Sequence, residues 1–348
     1  DFWTENLFIH GIGEGTLKID SAWVQGETKV TSDDKLEIGS MGKVELYPGF
    51  WTTKSMRIKS GVFEAKNDLI VASNLSSSQS ADDPTESVLS LKSQEGDVIF
   101  ASPYLYAQAL DISAQNGTIR SGAQEPSTQR VHGLRTMSAD TVDWHGLWYT
   151  NKTFTLETTG NVDIQNALIS GYDTVSTSKM TIGGDLLAQN ATIDFTNTLP
   201  VTVSGEVNFS DAELVTGLKV TTDKSVLLDR AHFGVLQLDA TQPGQTISAK
   251  DVTYAFSADV SFKADGKITF TNVKSLLSEE ELAENLSGDA RVFNFESVNG
   301  QVDLTDSILT STLDMTVKAK SGIVANNVTL NAPYITMTST EGSIEAND

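Results

Sequence analysis

Short bursts of alternating apolar and polar residues recur along residues 160–272. Gly160-Asn-Val-Asp-Ile-Gln-Asn166-Ala167 is followed by Gly184-Asp-Leu-Leu-Ala-Gln-Asn190-Ala191 and Gly205-Glu-Val-Asn-Phe-Ser-Asp211-Ala212. Ile247-Ser-Ala-Lys-Asp251-Val252 and Gly266-Lys-Ile-Thr-Phe-Thr-Asn272-Val273 continue the series, and Val226-Leu-Leu-Asp-Arg230-Ala231 keeps the apolar frame with Arg in the Asn/Asp slot. Two apolar residues separated by one polar residue describe a strand with one buried face. The Asn or Asp that follows suits a turn, because its short polar side chain bonds local backbone and tolerates a left-handed conformation. Successive slots lie about 21 residues apart, a spacing that marks stacked repeats.

A second alternating pair follows within each repeat: Met180 with Ile182, Val201 with Val203, Leu218 with Val220, Val260 with Phe262. Such a unit has no interior of its own and gains one only by stacking on its neighbours. The predicted fold is therefore all-β, a parallel β-helix with one coil per repeat. Gly300-Gln-Val-Asp-Leu-Thr-Asp306-Ser307 and Ile323-Val-Ala-Asn-Asn327-Val328 extend it downstream, and Gly96-Asp-Val-Ile-Phe100 extends it upstream. At a strand spacing of ~4.8 Å, roughly 15 coils would make a rod on the order of 70 Å long. Residues 51–348 are assigned to this rod and residues 1–50 to an N-terminal cap or first irregular coils. Phe2, Trp3, Phe8, Trp23 and Phe50 in that segment, with Trp51 just beyond it, either shield an open edge of the core or form an aromatic patch. Asn272 and Asp306 are 34 residues apart. The excess carries Ser278-Glu-Glu-Glu281 and Leu282/Leu286, the signature of a short helical insertion over 277–288. Polar loops are expected near 75–87 and 121–133, and an aromatic-rich loop near 143–151.

The Asn/Asp column reads Asn166, Asn190, Asp211, Arg230, Asp251, Asn272, Asp306, Asn327. Stacked side chains of this kind form amide ladders, whereas adjacent carboxylates repel. No two Asp are adjacent, and Arg230 falls between Asp211 and Asp251. The expectation is a structural ladder in which Arg230 bridges both carboxylates.

Composition narrows the function. The net charge is −22, which argues against nucleic acid as a partner, since phosphate recognition needs Lys and Arg. It favours mutual repulsion between molecules. There is no cysteine, hence no thiolate nucleophile, disulfide or Cys-based metal site. No apolar run is long enough for a transmembrane helix. The start lacks the features of a signal peptide and the end remains in repeat style, which suggests a segment of a longer exported chain. His10, His132, His145 and His232 have no metal-ligand spacing, so no metal or cofactor is expected. Neither a Gly-x-Ser-x-Gly elbow nor a phosphate-binding loop occurs. Asp163, Asp194 and Asp303 sit between apolar strand residues and point outwards, which solubility alone explains, so no catalytic pair is nominated. The densest aromatic cluster offers Trp144, His145, Trp148 and Tyr149 as a binding patch for a sugar or protein partner, if the rings are exposed.

The repeat carried by Gly160 to Ala167, Gly184 to Ala191, Gly205 to Ala212 and Gly300 to Ser307 resembles the haemagglutinin-type repeats of filamentous haemagglutinins and related exported exoproteins. The resemblance covers about residues 90–345. It implies a right-handed β-helical shaft on the bacterial surface, used in adhesion or in presenting a distal domain. No Asn-Pro-Asn-Gly element of that family's secretion domain is present. The expected function is a non-catalytic structural or adhesive segment of an extracellular or cell-surface fibre that self-associates or meets a glycan or host-surface partner. The alternatives are a carbohydrate-binding or carbohydrate-cleaving β-helix and an intracellular polymer of the bactofilin kind. The ~21-residue coil and long loops count against the last.

Overall fold

The computed structural model describes residues 2–20, 22–38, 43–47, 50–53, 55–72, 74–77, 88–101, 104–121, 130–150, 153–171, 178–215, 217–255, 259–275 and 292–347. Every regular element among them is a β-strand. The chain is a parallel β-helix, as the repeat predicts, and divides into two compact units, Asp1–Ser178 and Lys179–Asp348. The expected helix over 277–288 lies outside the described residues, as do the centres of the loops near 75–87 and 121–133. The strands Asn74–Ser77 and Arg130–Asp143 occupy the flanks of those two loops.

In unit 1 each coil contributes to three parallel faces, and each face buries a column of side chains in strict register. On the first face Leu75 pairs with Leu105, Leu105 with Val131, Val131 with Trp148 and Trp148 with Ile169. On the second, Val30 is followed by Phe63, Leu91, Ile112, Met137 and Leu156. On the third, Leu36 is followed by Leu69, Val98, Ile119, Val142 and Val162. All of these side chains are buried. Period-two alternation explains the arrangement: in a strand only every other residue faces inward, and stacking coils in register gives each inward residue an apolar neighbour on either side. Burial of each is worth roughly 1.5–3 kcal/mol. Parallel pairing starts at Phe2, and Phe8 is 61% exposed. A hairpin, Lys43–Tyr47 with Phe50–Thr53, is the one antiparallel pair among the described residues.

Unit 2 repeats this plan. Its second-face column runs Met180, Val201, Val220, Leu238, Phe262, Phe295, Val317, Met337. Phe233, Tyr254, Phe262, Phe270, Phe293 and Phe295 pack as a run of edge-to-face and stacked rings inside it.

The turn column behaves as its chemistry requires. Asn166, Asn190, Asp211, Arg230, Asp251, Asn272, Asp306 and Asn327 all adopt positive φ, between 51° and 60°. They are the only non-glycine residues to do so among those described. Ala167 donates its N–H to Ile164 O at 3.0 Å, and Ala212 to Phe209 O at 3.1 Å. The left-handed residue is thus third in a four-residue turn, a position that accepts Gly or Asn readily. The small residue next to it is buried because the corner is narrow.

The glycine that opens five of the eight repeats (Gly160, Gly184, Gly205, Gly266 and Gly300) answers a different constraint. A Cβ on Gly205 would lie 2.6 Å from the carbonyl carbon of Gly184, and one on Gly300 would lie 2.5 Å from that of Gly266. Glycines stack on glycines at this corner because the coils approach too closely for a side chain. A hydroxyl just ahead of the corner satisfies its carbonyls: Thr222 Oγ1 donates to Gly205 O at 2.6 Å and Ser297 Oγ to Gly266 O at 2.6 Å.

Candidate functional site

Unit 1 holds the aromatic segment, and alternation splits it into two sets. Trp144 and Trp148 face inward and are fully buried. Trp144 meets Phe100 edge-on at 5.1 Å and Trp148 at 5.6 Å, and Trp148 meets Phe154 at 6.3 Å. The expectation of exposed indoles is therefore corrected: both are core. Burial alternates without a break from Val142 to Thr150, so the even-numbered Trp144 and Trp148 share the inward side with Val142. Neither indole N–H has a hydrogen-bond partner among the described residues.

Tyr149 and His145 remain on the outside. Tyr149 stacks on His132 at 4.5 Å with an interplanar angle of 13°, and Tyr104 and Tyr106 flank His132 at 5.7 and 5.8 Å. These rings come from three consecutive coils, aligned by the pairing of Tyr106 with His132 and of His132 with Tyr149. Burial, with a contribution from the Arg130 charge, holds the His132 imidazole below its usual pKa, so it is neutral over a wider pH range.

His145 belongs to a second grouping that linear spacing hides. Asp143 and Asp163 are direct partners on adjacent coils. His145 Nε2 lies 2.7 Å from Asp143 Oδ1, and one donor atom from each of Asp143, His145 and Asp163 falls within 4.8 Å of the others. Gln165 completes the surroundings. Its N–H and Nε2 donate to Asp163 Oδ1 and Oδ2 at 3.1 and 3.0 Å, and its carbonyl accepts from His145 Nδ1 at 2.7 Å. Search by His–His or His–Cys spacing misses this set because two of its members are carboxylates, and one lies a full coil away. The usable signal is the sequence Asp143-x-His145 set against Asp163-x-Gln165 one repeat later.

In unit 2 the ladder is built from pairs. Arg230 bonds Asp211 through Nε and Nη2, both at 2.7 Å, and its own neighbour Asp229 through Nη1 at 2.6 Å. The expected bridge to Asp251 is corrected. Asp251 instead accepts from Asn272 Nδ2 at 2.6 Å, as Asp306 accepts from Asn327 at 2.7 Å. Each donor reaches back to the carboxylate of the preceding coil. The Arg230 fork is spent on Asp211, and its remaining donor meets Asp229 in its own coil. The hydrogen bonds and charge of Arg230 hold the Asp211 carboxyl below the usual range. Elsewhere on unit 1, burial pushes the Asp111 carboxyl up, but hydrogen bonds from Arg135 and Thr136 and the Arg135 charge outweigh it, and the net shift is downward.

Comparison with family models, with curated proteins and with solved structures returns no match for this chain.

Proposed function

We propose that this chain is a non-catalytic structural or adhesive segment of an extracellular bacterial surface fibre or surface assembly. The observation that carries this reading is the regular parallel stacking within each unit: successive coils pair in register and bury one apolar column per face, while the alternate residues form a polar exterior. Such a stack is a quasi-one-dimensional shaft. The net charge of −22 opposes lateral packing of such shafts. The resemblance of the repeat to haemagglutinin-type shafts agrees with this role.

The test is sedimentation velocity and negative-stain electron microscopy of the purified chain at physiological salt. Linear assemblies that lengthen with protein concentration are expected, with the far-ultraviolet circular dichroism spectrum unchanged. A single monomeric species at every concentration would sink the reading. The outward Tyr104, Tyr106, His132 and Tyr149 support a second reading, carbohydrate binding. A glycan array probed with wild type and with Tyr106→Ala tests it, and equal signals from the two would remove these rings from consideration.

A further inference from the structure

We propose that Asp143, His145 and Asp163 bind one divalent first-row transition-metal ion, Zn2+ by the chemistry of the donors, which clamps two successive coils of unit 1. Gln165 O is a carbonyl and only accepts, so the 2.7 Å contact makes His145 Nδ1 the protonated nitrogen. In the neutral ring the Nε2 lone pair is then directed at Asp143 Oδ1, 2.7 Å away. Two lone pairs at this distance repel unless a proton or a metal ion lies between them. A backbone carbonyl on the far nitrogen is the arrangement that fixes the ring of a metal-ligating histidine.

The carboxylates make the same demand independently. Parallel pairing sets Asp143 directly against Asp163 on the same outward face, and like charges in that relation destabilise a sheet. The cationic side chain nearest in register is Arg120, the partner of Asp143 on the preceding coil. Its guanidinium turns back to Asp97 at 2.9 Å. Gln165 holds both oxygens of Asp163 from one side, which orients the carboxylate and leaves lone pairs on each oxygen. One neutral imidazole and two carboxylates give a net charge of −2, matched by a divalent ion. Bond lengths of about 2.0–2.2 Å to nitrogen and oxygen fit donors grouped this closely after small side-chain rotations, and an imidazole in the set selects zinc-like ions over calcium or magnesium. Three protein donors leave a coordination position for water or for an anionic group of a partner.

The ion would act as a staple. Asp143 and His145 close one coil and Asp163 lies on the next, so binding ties residues 20 positions apart and stabilises only the stacked state. The experiment is equilibrium dialysis of the chelator-stripped full chain against Zn2+, with bound metal measured by atomic emission. One saturable Zn2+ per chain is expected. Affinity should fall at least about tenfold in His145→Gln and in Asp163→Asn and stay unchanged in His10→Gln, which alters another exposed His–Asp pair. Nitrogen-15 imidazole spectra of the wild-type chain give a readout that needs no variant: Zn2+ should shift the Nε2 resonance of His145 and leave that of His10 in place. No saturable binding, undiminished binding in His145→Gln, or a doubly protonated His145 unmoved by Zn2+ would each overturn the site and leave an imidazolium–carboxylate pair in its place.

Discussion

Replacing Tyr254 with Phe removes one oxygen from the core of unit 2, and the structure gives two separate magnitudes for the result. Tyr254 pairs in register with Ser275 on the next coil, a small residue at an inward position. The phenol passes over it to the coil beyond, where its oxygen accepts from Thr310 N–H at 2.7 Å and its hydrogen points to Ile308 O at 3.4 Å. In Tyr254→Phe the Thr310 N–H loses its acceptor inside the core, at a cost of about 1–3 kcal/mol near neutral pH. The second magnitude is alkaline. Burial pushes the Tyr254 hydroxyl from 10.0 up to about 12, against the smaller opposing effect of its bond to Thr310. The unfolded chain therefore ionises first, and the native state loses stability as pH rises past 10. The loss is about 1 kcal/mol at pH 11 and about 2 kcal/mol at pH 12, and it levels off above the folded value. Urea unfolding followed by circular dichroism at pH 8, 10, 11 and 12 measures both quantities, with absorbance at 295 nm reporting tyrosinate directly. The wild type should be more stable at pH 8, the two curves should converge above pH 10, and a late-titrating phase near pH 12 should be missing from the variant. Equal stability at pH 8, or a constant gap from pH 8 to 12, would refute the assignment of Tyr254 as a buried acceptor.

Trp144→Ala should cost about 3–5 kcal/mol, as for other fully buried large side chains. Trp144→Phe should cost far less, because it also removes an unpartnered indole N–H; equal losses in the two variants by urea unfolding would contradict the packing described. Gly205→Ala should destabilise by about 1–3 kcal/mol through overpacking against Gly184, and a thermal midpoint equal to wild type would show that the coils separate freely at this corner. Arg230→Asn should hold its melting temperature above that of Arg230→Ala, since Asn tolerates positive φ and keeps a donor for Asp211. The reverse order would show that neither the positive φ nor the bond to Asp211 limits stability at this turn.

The sequence by itself determined the coil. Period-two alternation and a turn residue able to take positive φ are local requirements, written once per repeat and reinforced by repetition, and a glycine opens most of the corners. The eight left-handed turn residues were legible for that reason: Asn, Asp and one Arg stand where the backbone must bend. Which side chains meet was decided by the tertiary structure, because stacking register is a relation between repeats. Trp144 and Trp148 read as one surface patch, but the alternation that runs unbroken from Val142 to Thr150 sends both rings inward. Arg230 stands one coil from both Asp211 and Asp251, and the direction in which side chains lean along the stack gave it to Asp211. Asp143, His145 and Asp163 become a cluster only when one coil is laid on the next, since the 20 residues between Asp143 and Asp163 collapse to a single strand spacing.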